Sequence, residues 1–146
     1  MSRKQARELA FLVLFQMDVG QLTPAKAVFH TIQELKVEPR EEEKEFICAL
    51  VNGTWQYLAD IDQVIALLSQ DWQLNRLGKV DLNIMRLALF EIFFREDIPP
   101  GVSVNEAVEL AKTYGSQESS RFVNGILGKI VQNIAFYHPL KNKINP

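Results

Sequence analysis

Cysteine is almost absent from this chain. Cys48 is the single one in 146 residues. That excludes an internal disulfide and any thiolate-rich metal site, and it makes a reducing compartment the default. Cys48 itself sits among apolar residues and reads as a small buried hydrophobe rather than a nucleophile. Histidine is nearly as scarce. His30 has no acidic partner at helical spacing, and His138 lies beside Pro139 in a tail, so both read as surface residues. The seven glycines are scattered singly, which leaves no glycine-rich phosphate loop. No apolar run is long enough to span a bilayer. The basic start followed by Leu9 to Phe15 imitates a secretory signal only as far as Gln16-Met17-Asp18, where small residues would be needed. A cytoplasmic protein is expected. An excess of either charge is also missing: 16 basic and 18 acidic residues give a net −2, which excludes an indiscriminate nucleic-acid binder but not a local basic patch.

What the chain does have is apolar residues at helical spacing. They make up 47% of the sequence, enough for one ordinary domain with a real core and too many for disorder. Strand signals are weak, and helical periodicity runs throughout. A first helix is predicted from about Ser2 to Asp18, opened by a Ser2/Gln5 capping box and ended by Gly20. Its stripe is Ala6, Leu9, Ala10, Val13, Leu14 and Met17, with Phe11, Leu12 and Phe15 adding apolar surface elsewhere. Thr23-Pro24 starts a second helix with Val28, Ile32 and Leu35 on its stripe. Lys36 to Arg40 is a linker. The six acids against three bases between Glu34 and Glu45 suit a solvated helix start favoured by the macrodipole.

A long helical region is predicted from about Glu41 to Gln70, carried by Phe46, Leu50, Val51, Thr54, Leu58, Ile61, Ile65 and Leu68, with a kink or break at Asp60 to Gln63. Trp72 to Gly78 is a connection. Another helix covers about Val80 to Phe94 and stops before Pro99-Pro100-Gly101. Ser103-Val-Asn-Glu106 reads as a capping box with Val102 and Ala107 as its staple, and Gly115 as the left-handed end of that helix. The last helix is expected from about Gln117 to Ile134, burying Phe122, Val123, Ile126, Leu127, Ile130 and Ile134. Gly125 and Gly128 sit inside it at a cost of about 1 kcal/mol each against Ala, which close approach of another backbone would offset. Asn124-Gly125 fits that packing. The total is an all-α fold of six or seven helices, with a frayed tail after them.

Catalytic chemistry has little to work with. Asp60 and Asp62 lie two apart and diverge on a helix, so they form no dyad. Binding fits better. Arg3, Lys4 and Arg7 cluster at the N-terminus, Arg3 and Arg7 sharing a face at i, i+4. Alone, the cluster reads first as a solvated helix end. As a phosphate patch it would neutralise about 3–4 phosphates, too few for tight binding at physiological salt without help. Stacking by Tyr114 and Phe122 near Gly115 could supply that help, although both rings could equally be core.

Four segments, in order, carry a family resemblance. They are Ala6-Arg7-Glu8 leading to Leu14-Phe15-Gln16; Trp72 to Arg76 leading to Val80-Asp81 and Ile84 to Glu91; Ile98-Pro99 followed by Val104 to Lys112; and Arg121-Phe122-Val123-Asn124-Gly125-Ile126-Leu127. Together they resemble the NusB transcription-antitermination family over nearly the whole chain up to about Ile134. The resemblance implies an all-helical fold of two small packed bundles. Residues 1–137 would form the NusB-like domain and residues 138–146 the C-terminal tail. It implies a non-catalytic protein without a cofactor or metal, which pairs with the NusE-type small-subunit ribosomal protein. The pair would bind boxA-type single-stranded RNA and act on the RNA polymerase elongation complex in ribosomal RNA operons. By position, Arg3, Lys4 and Arg7 match the family's basic RNA contacts. Tyr114, Glu118 and Phe122 match its RNA-facing residues, and Phe15 and Asp81 its protein-partner face. Glu118 cannot attract phosphate; it would accept from a base amino group or limit affinity. Relatives are described as monomers or homodimers, so a homodimer is a second state to consider. Two other readings remain open: the NusB-like accessory domain of a ribosomal RNA cytosine methyltransferase, and a protein-interaction bundle that binds no RNA.

Overall fold

Ser2 begins the first helix by the expected reciprocal bonds. Its hydroxyl accepts from the Gln5 N–H at 3.1 Å, and its own N–H donates to Gln5 Oε1 at 2.8 Å. The resulting α1 (Arg3–Gly20) buries the whole predicted stripe and Phe11 as well. Gly20 stays helical. The left-handed turn falls on Gln21, at φ 55°, an unbranched residue for which that region costs about 1–2 kcal/mol. These coordinates are a computed structural model, which describes residues 1–69 and 77–140.

Helix α2 (Pro24–Leu35) has Thr23 as its N-cap, accepting from the Lys26 N–H at 3.4 Å. It ends in a Schellman arrangement: Lys36 at φ 53° donates to Gln33 O, and Val37 N–H to Ile32 O. Its buried residues are Ala27, Val28 and Thr31, while Leu35 is 47% exposed. The stripe is therefore rotated from the expected one. In α3 (Glu41–Gln56) the Arg40 N–H donates to Glu43 Oε1 at 2.7 Å, and three glutamates occupy the positive end of the helix. Ile47, Leu50, Val51 and Thr54 face inward. Phe46 is only half-buried. Helices α1, α2 and α3 pack on one another and form the first compact unit, Met1–Gln56.

The second unit, Tyr57–Pro146, opens at the break in the predicted long helix. The break lies at Tyr57, not at Asp60 to Gln63. Tyr57 leaves helical geometry at ψ 20°, and its ring stacks on Phe94 at 4.1 Å with the planes 12° apart. Asp62, read as part of a new cap, instead pairs with Arg86 from within α4 (Leu58–Leu68). Helix α5 (Lys79–Phe94) is buried at every residue from Leu82 to Phe93. It packs against α4, α6 and α7. Its polar groups are met inside: Arg86 holds Asp62 and Asn83 Oδ1, Asn83 Nδ2 donates to Lys79 O, and Glu91 accepts from the Ser103 hydroxyl at 2.9 Å.

That last bond overturns the Ser103 to Glu106 capping box. Helix α6 (Pro100–Tyr114) already starts at Pro100, two residues after Ile98. Proline at the first helical position loses no needed N–H and comes with helical φ, so it opens this helix as well as ending the previous path. Val102, expected in a staple, is 43% exposed. Gly115 is also not left-handed. Its φ is −106°, and its glycine is required by space: a Cβ there would lie 2.6 Å from Ser119 Oγ and 2.9 Å from Ala111 O.

Helix α7 (Gln117–Gln132) is capped by a Ser116/Ser119 box and buries Val123, Ile126, Leu127 and Ile130. Phe122 is half-buried. Among the described residues a Cβ at Gly125 or Gly128 would meet nothing within 4 Å, and Asn124 is exposed, so the expected close packing is absent. The helix ends at Asn133, and a short α8 (Ile134–Tyr137) follows. His138 is not frayed. Its Nε2–H donates to Phe93 O at 3.2 Å, and its Nδ1 accepts from the Leu140 N–H at 3.1 Å. The described residues thus form eight helices, one beyond the expected six or seven, and no strand. None is long and apolar enough to cross a membrane. The motif Trp72 to Arg76 and the end of the tail, 141–146, lie outside the described residues.

Candidate nucleic-acid interface

Two of the three N-terminal cations are exposed. Lys4 stands in solvent at the start of α1. Arg3 is exposed too, but its guanidinium carbon lies 4.4 Å above the Phe46 ring, a cation–π contact that holds it against α3. Arg7 is 4% exposed and engaged within the fold. One turn in from Arg3, the helix has entered the core at Ala6, Leu9 and Ala10. The i, i+4 spacing gives the shared direction of Arg3 and Arg7 but not the depth at which each lies. The terminal ammonium is occupied as well: Met1 N lies 2.9 Å from Glu43 Oε2. The Arg40 N–H, the ammonium and the Arg40 side chain together hold the Glu43 carboxyl at a pKa of about 2.

The second group comes from α5, α6 and α7. Tyr114 closes α6 and is half-buried, like Phe122 one turn into α7, while Glu118 in the first turn of α7 is exposed. Phe122 lines a cleft of about 160 Å³ with Leu77, Asp81, Ser116, Glu118 and Ser119. The structure therefore brings Asp81, expected at a protein-partner face, together with Glu118 and Phe122, expected at RNA. Phe15, the other partner residue, belongs to the first unit, half-buried with its ring 6.3 Å from Phe11.

The two serines in this cleft are the residues the sequence reading missed. Ser116 N–H donates to Ser119 Oγ at 3.0 Å, Ser119 N–H donates to Ser116 Oγ at 3.2 Å, and the two hydroxyls are 3.1 Å apart. A Ser-x-x-Ser spacing after Gly115 was the available signal. Each hydroxyl oxygen accepts a backbone N–H of the cap, and the contact between them uses one hydroxyl hydrogen, so the cleft offers two carboxylates and an aromatic face beside one remaining hydroxyl donor. Among the described residues no donor reaches Asp81 Oδ1, which is shielded from solvent. Such a cleft suits hydrogen-bond donors and cations, and it disfavours phosphate.

Cys48 lies elsewhere, half-buried beside Val28, Val51 and Asn52 rather than fully in the core. His30 is exposed and meets the Phe29 ring edge-on. No group of three or more metal-ligating side chains occurs among the described residues.

Comparison with known proteins places this arrangement. The NusB family model matches residues 4–132. A transcription antitermination protein NusB from Pelotomaculum thermopropionicum is 56% identical over 140 residues, covering 96% of each chain. The solved NusB of T. maritima superposes with a TM-score of 0.84 at 33% identity, over 100% of this chain and 99% of that one. A further solved structure, antitermination factors NusB and NusE in complex with dsRNA, gives a TM-score of 0.78 at 29% identity, covering 89% of this chain and 96% of that one. The chain belongs to the NusB family of non-catalytic transcription antitermination proteins.

Proposed function

We propose that this protein binds boxA-type single-stranded RNA jointly with a NusE-type small-subunit ribosomal protein. Through that complex it would help the RNA polymerase elongation complex read through terminators in ribosomal RNA operons, in the cytoplasm. The observation that carries the reading is the likeness, over 89% of the chain, to a NusB solved with NusE and RNA. In this reading Arg3 and Lys4, both exposed, contact phosphates, and Tyr114 and Phe122 supply stacking faces. Arg7 supports the same end of α1 from a buried position. Phe15 and Asp81 face the protein partner. The balanced overall charge supports a shared task, because a net −2 chain with one small basic end needs a partner to hold RNA well.

The test is a salt titration of boxA-type RNA binding by the full chain, with and without the purified ribosomal partner, against a scrambled RNA. The expected result is sequence-dependent binding that the partner strengthens. Equal affinity for both RNAs in the presence of the partner overturns the reading. Capture of the partner with no RNA binding at any salt would establish the protein-interaction bundle instead.

A further inference from the structure

We propose that the groove between the first half of α1, the end of α2 and the start of α3 binds a linear aliphatic polyamine. Its ammonium groups pair with Glu8 and Glu38, and its methylenes cover Leu12 and Leu35. The groove lies wholly within the first unit and has a volume of about 490 Å³, a size that suits a small ligand. Three observations carry the assignment. First, the lining combines two kinds of surface. Leu12 and Val37 are half-buried and Leu35 is 47% exposed, while Glu8, Glu38 and Glu43 supply carboxylates. Leu35 is the residue that the apolar stripe of α2 would turn inward, and the fold leaves it open on this groove. Second, an ammonium already sits here. Met1 lines the groove, and its N lies 2.9 Å from Oε2 of Glu43, whose side chain is 10% exposed. The chain's own amino group shows what this lining accepts. Third, the carboxylates do not converge. No three metal-ligating side chains come together among the described residues, so one compact cation cannot meet all of them. A ligand that spaces its charges along a flexible chain can.

Shape selects the length of that ligand. Gln5, Glu8 and Leu12 line the groove along α1, a span of about 10 Å at the helical rise. A single ammonium on one stem, such as a lysine reaching out of a folded partner, would fill one end of it. A polyamine lies along it. Each ammonium donates up to three hydrogen bonds to carboxylate oxygens, and these are charge-assisted. The methylenes take apolar surface of Leu12 and Leu35 out of water. Both contributions are needed, because exposed ion pairs alone are worth little.

The test is calorimetric titration of spermidine into the full chain near neutral pH at fixed ionic strength. Butylamine probes a single ammonium, and magnesium chloride probes a compact dication. Spermidine is expected to bind saturably, one to one, at least about tenfold tighter than either. Glu8 is also engaged within the fold, so the variants are Glu38→Gln and Leu35→Asn, both at exposed positions, each checked for helicity. Each is expected to weaken spermidine binding about 3–10-fold. Glu42→Gln, at a carboxylate 70% exposed and outside the groove, is expected to change nothing. Magnesium binding as tightly as spermidine, or equal losses in Glu42→Gln and Glu38→Gln, would mean diffuse attraction to the acidic linker and overturns the site. Butylamine matching spermidine overturns the polyamine assignment. Full affinity in both Glu38→Gln and Leu35→Asn, or no saturable binding by wild type, overturns it as well. No RNA or protein partner enters the measurement, so each of these outcomes leaves the functional reading standing.

Discussion

Both carboxylate oxygens of Asp62 are held by one guanidinium: Arg86 Nε donates to Oδ1 and Nη2 to Oδ2, each at 2.8 Å. The pair joins α4 to α5 and is mostly shielded, with Arg86 9% and Asp62 20% exposed. The two ends are therefore unequal. Asp62→Ala strands a buried cation and should cost about 2–4 kcal/mol, somewhat below the value for a fully buried pair. Arg86→Met leaves a carboxylate that water can partly reach and should cost about 1–2 kcal/mol. Urea denaturation of both variants checks the order; equal losses would contradict the asymmetry.

One substitution should have opposite signs at two glycines. A Cβ at Gly115 would sit 2.6 Å from Ser119 Oγ and 2.9 Å from Ala111 O, so Gly115→Ala must push apart the cap of α7 and should lose about 1–3 kcal/mol. At Gly125 a Cβ meets nothing among the described residues, and the residue lies inside α7, so Gly125→Ala should gain about 0.5–1 kcal/mol. Thermal melting of both variants reads the sign directly.

Glu43 gives the first unit a pH dependence. Its folded pKa is lowered from 4.5 to about 2. The stabilisation is thus fully present above pH 4.5 and is lost as pH falls toward 2. Glu43→Gln should flatten the dependence of the urea midpoint on pH in that window and leave the remaining carboxylates' contribution. An identical pH profile for both proteins would show that the Met1 and Arg40 contacts do not persist in solution.

Arg3, Arg7 and Tyr114 should fail in three different ways. Arg3→Ala, at the exposed position proposed above to contact phosphate, should reduce the salt slope of log K by about 0.7 for single-stranded RNA. Tyr114→Ala should cost about 1–3 kcal/mol of RNA binding with the slope nearly unchanged. Arg7→Ala, at a buried position, should lower the melting temperature with little change in slope. RNA titrations at several salt concentrations, beside melting curves, separate the three.

Asp81→Lys should weaken capture of the NusE-type partner by about 1–3 kcal/mol, in the range of interface hot spots. Calorimetric titration with the partner checks this. Unchanged affinity with intact helicity would remove Asp81 from that face.

The local code was clearest where a few neighbouring residues suffice. Ser2 with Gln5, Thr23 with Pro24 and the apolar stripe of α1 each specify their structure through contacts within one or two turns. Two of the misreadings share one cause. Ser103 and Glu106 have capping-box spacing, yet the Ser103 hydroxyl goes to Glu91, twelve residues away. Asp60 to Gln63 resembles a new cap, but the break is at Tyr57, where stacking on Phe94 is available. In both cases a group had two uses, and a distant partner decided between them.

The sequence by itself determined the all-helical class, most of the helices, the lack of clustered catalytic chemistry and the family, because periodicity, end signals and ordered motifs are properties of the chain. Tertiary structure decided what those residues can reach. It buried Arg7 while leaving Lys4 in solvent, and it turned Gly115 from a supposed left-handed cap into a space requirement. It also placed Asp81 in one cleft with Glu118 and Phe122, 37 and 41 residues further along the chain. Depth and proximity arise only when helices pack, since a side chain's neighbours across an interface are set by the fold and not by its position along the chain.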